Sequence, residues 1–269
     1  MKKILVPTDF SEHAENAVNA AVQLALENEA ELFLLHVQSK KKLFDKAENQ
    51  MQEAVEALKK RGVNAKPVLL HKKLEGSILK QTKELNADLV VMGSQGQNFS
   101  DKLLGSNTDR VLRMSKVPVL VVKKELTNFN VENIVFASTF FRENEPVFEH
   151  IHEFAKAHNA KTHLLKVITP SSFENTPYSE RLIDDFVKAV GLKNYTVNIF
   201  NYESAHQGIL EFSKRLNADL IALTTHGKKG LSKYIAGSTA ETVTDDAEIP
   251  VLSIKLPEQK SNSAILFPE

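Results

Sequence analysis

Gly93, Gly96 and Gly105 stand with two and then eight residues between them, and Ser106 follows directly. A glycine-rich loop of this kind, set between a buried strand and a helix, lets the backbone come close to an anion and turn its amides inward. Because Gly105-Ser106 runs straight into a helical pattern, a phosphate there would also meet unpaired amides and the positive end of a helix dipole. The constellation recurs downstream as Thr224, Gly227 and Gly237-Ser238, with two and nine residues between. Glycines that merely make turns are the competing explanation. Recurrence at the same point of two equivalent segments weighs towards a ligand.

The elements that must position these loops are themselves written twice. Leu85-Asn86-Ala87-Asp88-Leu89 returns unchanged as Leu216-Asn217-Ala218-Asp219-Leu220. Around it, Ile4-Leu5-Val6-Pro7-Thr8 matches Ile134-Val135-Phe136-Ala137-Ser138, Leu34-Leu35-His36-Val37 matches Leu164-Leu165-Lys166-Val167, and Val117-Pro118-Val119-Leu120 matches Ile249-Pro250-Val251-Leu252. The offset drifts only from 130 to 132 residues, far longer than a solenoid repeat. The chain is a duplicated domain, with units at 1–124 and 131–256, a linker over 123–132 and a tail at 257–269.

In the first unit, apolar runs predict strands at Ile4–Val6, Glu31–Val37, Ala65–Leu70, Leu89–Met92 and Val117–Val122. Helical spacing of apolar residues predicts helices beginning near Ser11 and over Lys46–Lys60, Ser77–Leu85 and Asn107–Met114. The second unit repeats the order, with strands at Asn133–Ala137, Thr162–Ile168 and Val251–Ile254 and a helix at Val147–Ala157. Alternating strands and helices imply an α/β fold: two tandem, open, five-stranded parallel sheets with helices on both faces. Such sheets bind ligands at the carboxyl ends of strands where the strand order reverses. In the first unit that brings together Pro7, Thr8 and Asp9, then Val37, then Met92 and the glycine loop.

Composition narrows the function classes. Lysine plus arginine equals aspartate plus glutamate at 34 each, so no global field draws nucleic acid or an anionic membrane. Cysteine is absent, which excludes disulfides, thiolate metal sites and cysteine catalysis. The opening residues lack the apolar run of a signal peptide, and no apolar stretch reaches membrane-spanning length; a cytoplasmic protein is expected. No P-loop motif occurs. His150 and His152 are two apart on a helix and cannot share a metal at i, i+4 spacing, while His36 and His226 fall near the expected ligand mouths. No nucleophile is paired with a base and no carboxylates are paired for acid–base work.

Taken together, these segments resemble the universal stress protein family, arranged as a tandem pair. The family's signature is glycine, two residues, glycine, nine residues, glycine, then serine or threonine, joined here to Val6-Pro7-Thr8-Asp9 and Val117-Pro118-Val119-Leu120. The resemblance implies an adenine nucleotide alpha hydrolase-like, Rossmann-like fold with pseudo-two-fold-related halves. It implies ATP, with or without Mg²⁺, as the cofactor, and a regulatory or protective role in stress response with at most slow hydrolysis. The base and ribose end would lie at Pro7, Thr8, Asp9 and Val37, and the phosphates at Met92, Gly93, Gly96, Gly105, Ser106 and Asn107. The second-half counterparts are Val167, Gly227, Gly237, Ser238 and Thr239.

Each half departs from the pattern. The first loop is one residue short; in the second, Thr224 replaces the first glycine and Thr139 the aspartate. The balance falls on the first half, which keeps the base-end contacts. The alternative is a nucleotide-free interaction module that has lost its ligand. The resemblance also implies that 117–122 and 249–254 pair within one chain, as an internal pseudo-dimer, with homodimers and unknown protein partners as further possibilities. The apolar end of the tail, Ala264-Ile265-Leu266-Phe267, is either frayed or clipped onto a domain.

Overall fold

The computed structural model describes residues 1–72, 76–93, 107–126, 129–141, 144–225 and 236–256. The first half runs β1 (Lys3–Pro7), α1 (Glu12–Asn28), β2 (Glu31–Val37), α2 (Phe44–Lys60), β3 (Ala65–Leu70), α3 (Ser77–Glu84), β4 (Leu89–Gly93), α4 (Asn107–Met114) and β5 (Val119–Val122). The second runs β6 (Asn133–Ala137), α5 (Glu145–Ala157), β7 (Lys161–Ile168), α6 (Thr176–Val190), β8 (Tyr195–Asn201), α7 (Ala205–Leu216), β9 (Leu220–Thr225), α8 (Ala236–Asp246) and β10 (Val251–Lys255).

Local chemistry sets the ends of these elements. Ser11 caps α1, its Oγ accepting from Ala14 N at 3.3 Å, and Glu12 and Glu15 favour the positive end of the dipole. Asn175 caps α6 in the same way by accepting from Tyr178 N at 2.9 Å, and Gly191 closes that helix at φ +66°. The repeated Leu-Asn-Ala-Asp-Leu segment has a structural job. Asn86 and Asn217 take φ of 49° and 52°. Asp88 then accepts from the amides of Lys2 and Lys3, as Asp219 does from Glu132 and Asn133, which fixes where β1 and β6 begin.

All ten strands form one sheet in the order β3-β2-β1-β4-β5-β10-β9-β6-β7-β8. Each half is parallel within itself. The halves meet where β5 and β10 pair antiparallel, with Val121 opposite Val251, Leu120 opposite Leu252 and Val119 opposite Ser253. That register is symmetric about the Leu120–Leu252 pair, so the pseudo-two-fold passes through it. The fifth strand begins at Val119 rather than Val117: Pro118 has no amide to donate, and contributes only its carbonyl, which accepts from Val90 N at 3.0 Å.

The two faces of the sheet are organised differently. On one, α1, α2, α5 and α6 cover a single apolar core that runs through both halves, from Ile4 and Leu34 to Phe136 and Leu164. On the other, α3 and α4 cover a separate core around Leu5, Val90 and Val111, and α7 and α8 cover its counterpart around Val135, Ile221 and Val243. Near the two-fold, Arg113 of α4 pairs with Glu241 of α8.

The segment expected as a linker is part of the continuous core. Phe129 and Val131 are 2% and 1% exposed, and the Phe129 ring meets Phe154 and His158 edge-on. Gln23 of α1 accepts from the Phe129 amide. A polar-looking stretch thus carries two apolar anchors that fasten one half to the other.

Candidate functional site

The strand order reverses between β1 and β4 in the first half and between β6 and β9 in the second. Each reversal opens a crevice at the carboxyl ends of the strands. In the first half, Pro7 and Gly93 are the last residues of β1 and β4, and Val37 ends β2 next to them. Thr8 and Asp9 follow β1 directly. Asp9 is exposed, with Oδ1 accepting from Ser11 N at 3.0 Å, while Val37 and Thr8 are half-buried and Met92 is buried. Six of the residues singled out from the sequence therefore lie at or just beyond the carboxyl ends of β1, β2 and β4.

The turn carrying Asp9 has the same construction in both halves. Phe10 and Phe140 have φ of +61° and +62°, a conformation strained for a bulky side chain. Each is held by the hydroxyl two residues earlier: Phe10 N donates to Thr8 Oγ1 and Phe140 N to Ser138 Oγ, both at 3.0 Å. The carbonyl of Thr8 contacts His36 Nδ1 at 2.8 Å, and the Phe10 and His36 rings lie 4.7 Å apart. Thr8 and His36 thus shape the turn that presents Asp9. No sequence signal marks a phenylalanine for positive φ, so this device was missed. The recurrence of Phe10 as Phe140 and of Thr8 as Ser138 at the 130-residue offset is its visible trace.

Gly93 has a structural role of its own. A Cβ built there would lie 2.3 Å from the carbonyl oxygen of His13, in the first turn of α1. The glycine is required because β4 ends hard against a helix backbone, whether or not a phosphate approaches. The second half resolves the same crowding differently. Glu145 follows Glu12 by 133 positions where the paired strands are 130 apart, so α5 starts three residues later. The room released admits Thr224, whose Oγ1 donates to Oδ1 of the buried Asn144 at 2.8 Å. Thr224 is thus a contact at the start of α5.

At the base end of the second half, Lys166, 5% exposed at its side chain, sits 3.0 Å from Glu174 Oε2 and donates to the Thr139 carbonyl at 3.1 Å. Its ammonium lies 5.7 Å from the centre of the Phe141 ring. Val167 is half-buried like Val37, and a Cβ on Gly208 would come within 2.7 Å of Val167 Cγ1. Lys166 stands where the first half has His36, and each buried side chain contacts a carbonyl of the turn after the first strand, Thr139 and Thr8 respectively.

Of the phosphate-end residues, Gly96, Gly105, Ser106 and Gly227 lie outside the described residues, as does the tail. Asn107 opens α4, and Thr108 Oγ1 reaches the Gly93 carbonyl at 3.5 Å. Gly237, Ser238 and Thr239 fall within the first turn of α8, which begins at Ala236; amides in a helix's first turn have no intrahelical acceptor. Among the described residues no group of three or more His, Asp or Glu is placed to hold a metal. No described helix is long and apolar enough to cross a membrane.

Comparison with known proteins adds a family. The sequence profile described as the universal stress protein family matches residues 1–123 and again 130–255. A universal stress protein of Methanocaldococcus jannaschii is 31% identical over 155 residues, spanning 96% of its own length and 46% of this chain. One from Synechocystis is 22% identical over 267 residues, covering 94% of this chain and 89% of its own. Among solved structures, a universal stress protein from Archaeoglobus fulgidus superposes with a TM-score of 0.77 at 23% identity, covering 94% of this chain and 98% of that one. That last likeness is one of fold.

Proposed function

The chain belongs to the universal stress protein family, and from that premise we propose that it binds one adenine nucleotide, in its first half, as a regulatory ligand without efficient turnover. One contrast carries this reading. The turn after β1 leaves Asp9 exposed beside the half-buried Val37, whereas the turn after β6 carries Thr139 in place of the aspartate, with its carbonyl held by the buried Lys166, which pairs with Glu174. The Asp9 carboxylate is an acceptor suited to ribose hydroxyls, and the end of β2 at Val37 offers backbone to an adenine edge. The open first turn of α4, starting at Asn107, supplies amides and dipole for phosphates. ATP brings its own charge and, with Mg²⁺, a screened triphosphate. The chain's residues contribute binding and orientation.

Calorimetric titration of nucleotide-stripped protein with Mg-ATP tests this. The expected stoichiometry is one per chain. Asp9→Ala removes a hydrogen bond to a charged group, so it should weaken binding by about ten- to a hundredfold. Two equivalent sites would overturn the assignment to the first half. Absence of heat, together with no ATP-dependent rise in melting temperature, would favour the ligand-free interaction module.

A further inference from the structure

The second half holds a polar cleft at the opposite end of the sheet from the crevice just described. It has a volume of about 360 Å³ and lies between the carboxyl ends of α5 and α6, over the start of β7. His152, Lys156, Thr162, Gly191 and Lys193 line it. Thr162 is 0% exposed, and neither its Oγ1 nor the buried Nδ1 of His152 has a hydrogen-bond partner. Buried polar atoms are nearly always satisfied, so two orphans lining one cleft mark a place where a partner belongs.

The internal repeat shows what this place is without a ligand. At the 130-residue offset, His152, Lys156, Asn159 and Thr162 stand where the first half has Val22, Leu26, Glu29 and Leu32. There the side chains are apolar: Val22 and Leu32 are buried, and Leu26, itself 48% exposed, would lie 3.7 Å from a Cβ on the helix-closing Gly62. Over the matching Gly191 nothing comes within 4 Å. The second half also inserts a residue, since Gly191 and Asn194 enclose two positions where Gly62 and Asn64 enclose one. That extra length brings in Lys193. The local charge changes from one carboxylate (Glu29) to two ammonium groups (Lys156 and Lys193). Four substitutions and an insertion, converging on one spot, have turned an apolar contact into an open cationic one.

We propose that this cleft binds a small oxyanion, a phosphate- or carboxylate-bearing molecule. Lys156 and Lys193 supply charge from the rim, and the Thr162 hydroxyl and His152 ring nitrogen supply hydrogen bonds from inside. The site is separate from the nucleotide crevice: from Thr162 to the end of β7 is roughly 20 Å at the usual rise per strand residue.

The test is a titration of the full chain with inorganic phosphate at constant ionic strength, followed by amide and histidine-ring NMR. Saturable shifts are expected at Thr162, at 191–194 and at the His152 ring, with none around Leu32 and Gly62. Lys156→Leu with Lys193→Ala should raise the half-saturating phosphate concentration at least tenfold. Thr162→Val, nearly isosteric within β7, should weaken the response with the fold intact and keeps the test decisive if the double variant does not fold. Shifts that do not saturate, that spread over both halves as a general salt effect, or that persist unchanged in Thr162→Val would overturn the proposal.

Discussion

Gly93 shows how one residue type can serve two demands that look alike in sequence. A glycine at the end of a switch-point strand reads as a phosphate contact, yet its missing Cβ is the space occupied by the His13 carbonyl, 2.3 Å away. Backbone on both sides cannot yield to a side chain. Gly93→Ala should therefore destabilise the protein by roughly 1–3 kcal/mol, as overpacking does, in the presence or absence of nucleotide. Urea unfolding monitored by circular dichroism checks this, and an unchanged midpoint would show that α1 is free to shift away. Thr224→Ala in the second half removes the donor to the buried Asn144 Oδ1 without a clash, so it should cost about 1–3 kcal/mol through the unsatisfied acceptor. A glycine read without its neighbours does not show that a helix backbone already demands it.

At the level of elements, His163 in β7 joins three strands. Nδ1 lies 2.7 Å from Thr196 Oγ1 in β8 and Nε2 lies 3.1 Å from Asn133 Oδ1 in β6. The neutral ring with its proton on Nε2 suits both: it donates to Asn133 and accepts from Thr196, whose hydroxyl accepts in turn from Asn198 Nδ2 at 3.0 Å. Burial, and secondarily Lys161, holds the His163 pKa below its ordinary value of 6.5. Burial does the same to His158 at the junction of the halves, against a smaller opposing pull from Glu27. For a histidine with a depressed folded pKa, the unfolded chain binds the proton first, so stability is full above about 6.5 and declines as pH falls towards the folded pKa. Urea midpoints measured from neutral to mildly acidic pH should fall, and His158→Leu with His163→Val should flatten that decline whatever its effect on the neutral midpoint. An unaltered slope would place the acid sensitivity elsewhere. Elements were the most legible part of the sequence: β2, β3, α4 and β6 fall where apolar period and punctuation put them, because each is bounded by strong local signals. The turn at Phe10, the Lys166–Glu174 pair and the anchors in 123–132 were not legible. Each depends on which distant segment lies alongside, and neither spacing nor composition encodes that.

The whole molecule depends on a seam that each half offers to an equivalent edge. Within the chain, β5 takes β10 as its antiparallel neighbour in a register symmetric about Leu120 and Leu252, and the apolar core on one face continues across it through Phe129, Val131 and Leu256. Remove the second half and β5 becomes an edge strand of four buried residues, Val119–Val122, with unpaired amides and carbonyls beside an uncovered apolar face. An edge of that kind templates pairing with another chain, and the register already satisfies the two-fold symmetry that an isologous dimer requires. A fragment of residues 1–126 should accordingly sediment as a dimer. Leu120→Lys, which places a charge at the symmetry axis, should convert the fragment to monomer or leave it unfolded. The intact chain avoids this association by supplying the second edge itself, and should unfold in one transition, with secondary-structure and tertiary probes coincident. A fragment that remained monomeric with native secondary structure would mean that the seam adds little, and that α1 and the 129–131 anchors hold the halves together instead.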